Sequence, residues 1–273
     1  MFVFALVGAF AVTGCRAKAI DSDSTQADAE DGLDSSGTES DVAQLASSLV
    51  GDNNGSLALT SEGASGATSD LKFRAWGDGA KAFFSPSGCL STSLDEANKT
   101  VTYTFDDCTG PHGLLHITGE VKVGYDIKDA NTLDLDITGT DLQVNRATVD
   151  WSATDHITRA GAVYTAVWHG QVSGTTYRGR DFSRTNDRVV VWDTAAQCVT
   201  INGTSEGDIT NRSLKTEVKN LQKCAGACAS GDVTITNEEN DSTLSISLDG
   251  EGAATFTGPR GNSVTVSLAC GDE

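Results

Sequence analysis

Apolar and polar side chains alternate along most of this chain. Leu115, Ile117, Val121, Val123, Tyr125 and Ile127 fall on one face of an extended segment, and His116, Thr118, Glu120 and Lys122 on the other. A period of two predicts a long, half-buried antiparallel strand. Leu133, Leu135 and Ile137 alternate with Asp134, Asp136 and Thr138 in the same way, and the intervening Asp129-Ala130-Asn131 reads as a tight turn, so the two segments form a hairpin. Similar runs follow at Val149-Trp151-Ala153, 163–169, 189–192, Val199-Ile201, 214–221, Val233-Ile235, Leu244-Ile246-Leu248, Ala254-Phe256 and Val264-Val266-Leu268. They are separated by Gly, Asn and Asp; Asn186-Asp187 and Asn202-Gly203 have the chemistry of hairpin turns. Glycines in the recurring phrases around Gly119, Gly139, Gly174 and Gly203 predict bulges or close backbone approach that would curve the sheet. The expected fold is all-β: an antiparallel meander closing into a barrel-like or two-layer sandwich domain over residues 56–273, since a sheet of so many strands curls or splits.

One segment departs from this period. Val42, Leu45, Ala46 and Leu49 recur at helical spacing behind Ser40 or Asp41 as an N-cap, and the pattern breaks at Gly51-Asp52-Asn53-Asn54-Gly55. Residues 41–55 therefore predict one short amphipathic helix and a turn, packed on the domain as a lid. Before it, residues 15–40 are built from Asp, Ser, Ala, Gly, Glu and Thr with almost no large apolar side chains. Such a segment buries too little surface to offset its ordering entropy, and it reads as a disordered acidic tether spanning about 25–30 Å.

Residues 1–14 carry an apolar run, Phe2 to Val12, too short for the roughly 20 residues of a spanning helix and suited to the core of a signal peptide. It ends in Val12-Thr13-Gly14-Cys15, which resembles the lipobox of bacterial lipoproteins. The resemblance covers residues 1–15 alone. It implies cleavage before Cys15 and lipidation of that cysteine, so that the membrane partner is met through an N-terminal lipid. Arg16 follows, not the Asp that retains many lipoproteins in an inner membrane, which implies the outer membrane, at its periplasmic face or the cell surface.

Charge narrows the function classes. The chain carries 38 acidic against 19 basic residues, which argues against nucleic acid, whose phosphates require clustered cations. Excluding Cys15, the remaining cysteines are Cys89, Cys108, Cys198, Cys224, Cys228 and Cys270, an even set that in an oxidising compartment implies disulfides. Asp95 to Lys99 reads as a turn that brings Cys89 to Cys108, given a bulge to correct the register. Cys198 with Cys224, and Cys228 with Cys270, complete the expected pairing. Cys224-Ala-Gly-Ala-Cys228 lacks both redox spacing and a nearby His, so no metal and no cofactor is expected.

No catalytic constellation stands out. Gly203-Thr204-Ser205-Glu206-Gly207 matches the serine-hydrolase elbow in letters, yet strand-like sequence continues on both sides, where that motif needs a strand-to-helix turn. His112 and His116 flank Gly113 at the start of a strand, where residues four apart are about 13 Å apart. Two features suggest binding. Arg146, Arg159, Arg178, Arg180, Arg184 and Arg188 cluster in an otherwise acidic chain, and Arg178 and Arg180 would share a strand face able to receive carboxylate or phosphate. Tyr164, Trp168 and Trp192 lie in runs that are apolar on both faces and need cover from the helix, another layer or an apolar ligand. The expectation is a lipid-anchored, non-enzymatic envelope module that binds a protein, glycan or lipid partner or contributes structure; the alternatives are an envelope hydrolase of glycan or ester bonds and a carrier of an apolar molecule.

Overall fold

The structure, a computed structural model, describes residues 23–50, 80–81, 84–110, 115–129 and 131–268. A helix, α1 (Asp23–Val50), precedes thirteen strands: β1 (Leu90–Asp95), β2 (Thr100–Thr109), β3 (His116–Ile127), β4 (Thr132–Val144), β5 (Ala147–Ala160), β6 (Val163–Thr175), β7 (Asp181–Asp193), β8 (Cys198–Ile209), β9 (Arg212–Cys224), β10 (Ser230–Asn237), β11 (Ser242–Asp249), β12 (Ala253–Thr257) and β13 (Ser263–Ser267). Each strand pairs antiparallel with its neighbours in sequence, giving one thirteen-stranded meander in the order β1 to β13. The all-β antiparallel expectation holds, and the arrangement is a single sheet, not two.

Alternation decides which face is buried. On β5, Ala147, Val149, Trp151, Ala153, Asp155 and Ile157 are buried while Asp150, Ser152, Thr154 and His156 are exposed, as period two requires. The buried faces of successive strands merge into one core that also contains Val42, Leu45, Ala46 and Leu49 of α1. Partners of α1 occur from Tyr103 on β2, whose hydroxyl donates to the Leu49 carbonyl at 3.0 Å, to Ile235 on β10, against which Gly32 packs. Three consecutive helix residues, Asp34, Ser35 and Ser36, are buried. The sheet therefore curls around the helix. Among the described residues no helix is long and apolar enough to cross a membrane.

Curvature comes from register breaks. Pairing shifts between Phe105 and Cys108, Thr118 and Glu120, Gly139 and Leu142, and Ile201 and Gly203, and each extra residue bends its strand. Asp107, Gly119, Asp141 and Gly203 take positive φ at these points. The bulges expected at Gly119, Gly139 and Gly203 are thus present, whereas Gly174 pairs without a register shift and instead lets the Thr148 backbone approach closely. The Phe105/Cys108 bulge is the one that the Cys89–Cys108 pairing demanded.

Two expectations are corrected. Asn186-Asp187 and Asn202-Gly203 are not turns but lie inside β7 and β8. Asn202-Gly203 still uses turn chemistry: Gly203 has φ 150° and the Asn202 side chain accepts the Asn220 N–H at 2.7 Å, but the result is a bulge. Nor do residues 23–40 belong to a disordered tether that precedes a helix starting at 41. From Asp23 onward the segment is helical, Ser40 and Asp41 lie mid-helix instead of capping it, and α1 ends at Val50. The reason is long-range, because acidic residues of the helix meet arginines far along the chain. Residues 1–22, with the lipobox and Cys15, and residues 51–79 lie outside the described residues.

Candidate functional site

Part of the arginine cluster faces inward, with Arg184 buried, while Arg146 and Arg178 are exposed. Arg178 and Arg180 do not share a strand face; they sit in the loop 176–180, closed by the Thr176 N–H to Arg180 carbonyl bond at 2.9 Å. Arg178 lies 3.4 Å from Glu30, while Arg180 and Arg212 both pair with Asp31. Thr176 donates its hydroxyl to Asp34 at 2.7 Å. Deeper in, Arg184 is only 1% exposed and donates to Ser35 Oγ (2.7 Å), the Ser205 carbonyl (2.8 Å) and Thr216 Oγ1 (3.0 Å). Glu39 bridges the centre: its Oε1 lies 3.4 Å from Arg184 Nε and accepts from Ser205 Oγ at 2.6 Å, and its Oε2 accepts from Arg188 at 3.2 Å. The carboxylates these forks recognise belong to α1.

This network lies in a low-dielectric interior. Burial pulls the Arg184 guanidinium below its ordinary value, Glu39 opposes that shift, and Arg188 adds to it. Burial likewise pushes the Asp34 carboxyl up against the Thr176 hydrogen bond and Arg178. Desolvation of this kind can exceed the Coulombic gain of a buried pair. Ser205, the serine of the hydrolase-like string, is buried on β8 and spends its hydroxyl on Glu39.

The aromatic candidates are core residues. Tyr164 is 3% exposed, and Trp168 and Trp192 are partly buried against the same core. Trp168 stacks on Trp151 with centroids 5.9 Å apart and donates Nε1 to Asn186 Oδ1 at 2.6 Å. A Cβ on Gly170 would lie 2.6 Å from that nitrogen, so the ring occupies the space left by the glycine. Opposite Trp168 on β5 sits Asp155, buried, its carboxyl pushed up to about 7 chiefly by desolvation, with His156 and His169 opposing.

The exposed face of β4–β7 carries a different arrangement. A shallow, open groove of about 440 Å³ is lined by residues including Asp136, Ser152, Thr154, His169, Gln171 and Asp187. His169 Nδ1 lies 2.5 Å from Asp187 Oδ1 across the β6–β7 pair, and Thr154 stands directly opposite His169 on β5. A second pair, His156 Nδ1 to Asp134 Oδ1 at 2.5 Å, flanks it. Its hydrogen bond is the main cause holding the Asp134 carboxyl below its usual range, assisted by Lys128. Sequence reading missed this groove, because each strand contributes ordinary outward polar residues and only cross-strand register gathers them.

Cys89–Cys108 and Cys198–Cys224 are disulfides, with Cα separations of 5.3 and 4.0 Å. The expected partner of Cys228, Cys270, lies outside the described residues, as does His112. Among the described residues, no group of three or more His, Cys, Asp or Glu side chains is placed to hold a metal ion. No protein-family model matches this chain, and no curated protein or solved structure matches it either.

Proposed function

We propose that the chain is a lipid-anchored, non-catalytic module of the bacterial cell envelope, held at the outer membrane through Cys15, that recognises an envelope glycan with the exposed face of β4–β7. The observation that carries this reading is the groove itself: Ser and Thr hydroxyls, the Gln171 amide and the His169–Asp187 pair line about 440 Å³ of open surface, a donor and acceptor set suited to sugar hydroxyls. The buried face supports the same reading, since α1, Tyr164, Trp168 and Trp192 fill it, leaving little reason to choose a carrier of apolar molecules. Because α1 begins at Asp23, only Arg16 to Ser22 separate the helix from the lipidated cysteine. Seven residues reach at most about 25 Å, so the module works close to the bilayer.

Two measurements test this. Radiolabelled palmitate is expected to enter the wild-type chain and not Cys15→Ser; equal labelling overturns the anchor. The detergent-solubilised chain is expected to be retained on immobilised envelope glycan, with His169→Ala/Gln171→Ala weakening retention about tenfold, equivalent to ~1.4 kcal/mol. Unchanged retention by the variant, or none by the wild type, overturns the groove.

One observation favours a second reading. Asp187, His169 and Thr154 stand in rank across three strands, the acid–imidazole–hydroxyl order of an acyl-transfer site, as in an envelope hydrolase. Esterase turnover lost in both His169→Ala and Thr154→Val would establish it over the binding reading.

A further inference from the structure

Helix α1 is held in two different ways along its length. Its C-terminal part is packed by Val42, Leu45, Ala46 and Leu49, all at most 5% exposed. Its N-terminal part is held by polar contacts: Glu30 to Arg178, Asp31 to Arg180 and Arg212, Asp34 to Thr176, Ser35 to Arg184, and Glu39 to Arg184, Arg188 and Ser205. Gly37 lies within the polar part, and a Cβ there would meet nothing within 4 Å.

The two parts differ in how firmly they are closed. Gly32, Gly37 and the Ser, Thr and Asp residues around them are poor helix formers, and buried ion pairs return little net free energy once desolvation is counted. The acidic part is therefore held less firmly than the apolar part and is released first, although the docked form predominates. Release would leave a cradle of guanidinium forks and hydroxyls, an arrangement suited to phosphate or carboxylate.

We infer that this cradle is a binding site for a linear polyanion, and that the acidic part of α1 is a built-in occupant that such a ligand displaces. Glu39 marks one anion position, where Arg184, Arg188 and Ser205 converge on a single carboxylate. Asp31 marks a second, where Arg180 and Arg212 meet. Eight helical residues separate them, about 12 Å at ~1.5 Å per residue. An extended polymer with repeated anionic groups spans that distance; a small anion fills one position only. A bilayer headgroup array cannot enter a cradle enclosed by the sheet.

The test uses the full chain and inorganic polyphosphate as probe, with pyrophosphate and phosphatidylglycerol vesicles as comparisons. Polyphosphate is expected to speed amide hydrogen exchange in residues 23–40 and to leave 41–50 protected. Asp31→Asn/Glu39→Gln, which raises the released fraction, is expected to tighten polyphosphate binding about tenfold, because apparent affinity scales with the competent population. Arg184→Met/Arg188→Met is expected to abolish it, with pyrophosphate binding at least about tenfold weaker throughout. Unchanged exchange in residues 23–40 of the wild type at saturating polyphosphate overturns the proposal even where the variants fail to fold. So does binding that survives the arginine substitutions, or vesicle binding that competes with polyphosphate.

Discussion

Asp155 lies on the buried face of β5 between Ala153 and Ile157, and its carboxyl is pushed up to about 7, mainly by burial. Asp41 on α1 is pushed up to about 6 for the same reason, against the hydrogen bond from Asn145. For both, the folded chain holds its proton to higher pH than the unfolded chain. Stability therefore falls as pH rises from about 4, where the unfolded carboxyls ionise, and levels off above about 7. Asp155→Asn removes the larger part of this dependence. In urea unfolding it should gain on the order of 3–4 kcal/mol over the wild type at pH 8 and little at pH 4. An equal gain at both values would show that Asp155 is not the proton-holding group.

Among the elements, β8 and α1 depend on their surroundings in opposite ways. Gly203 has φ 150°, and a Cβ there would sit 2.1 Å from the Asp187 carbonyl on β7. No side-chain rearrangement relieves a clash with backbone, so Gly203→Ala should cost at least ~3 kcal/mol in chemical denaturation, or prevent folding. Gly161, in the β5–β6 turn with nothing near its Cβ position, is the control and should lose about 1 kcal/mol or less. Helix α1 has no such local determinant. A peptide of residues 23–50 should be largely unstructured by circular dichroism in water, because its composition cannot offset the cost of nucleation. Strong helicity in isolation would show that the distant arginines are not what orders it.

For the whole molecule, the meander makes nearly every sheet contact a contact between neighbouring strands, and the disulfides reinforce that pattern. Cys89–Cys108 and Cys198–Cys224 span sequence separations of 19 and 26 residues, each joining adjacent strands. Closing loops of that size stabilises by ~3 kcal/mol in the chain-entropy model. Replacing Cys198 and Cys224 by Ser should lower unfolding stability by about that amount and leave the far-ultraviolet β signal intact. A loss of β signal would mean that the bond directs the fold instead of bracing it.

Much of this organisation could be read before any fold was in hand, because it is local. Period-two alternation set the strands, glycines marked the bulges at Gly119, Gly139 and Gly203, and the turn at Asp95 to Lys99 brought Cys89 to Cys108. The failures share one physical cause. Asn202-Gly203 satisfies the dihedral demands of both a turn and a bulge, and only pairing with β7 and β9 selects the bulge. The acidic segment before Ser40 has too little apolar surface to order itself, yet its carboxylates are met by Arg178, Arg184 and Arg212, up to 181 residues away. The groove at His169 likewise exists only because register aligns β4 to β7. Alternation and turn chemistry act between near neighbours and are written into the chain; charge compensation and cross-strand register join distant residues, and only the folded sheet brings those together.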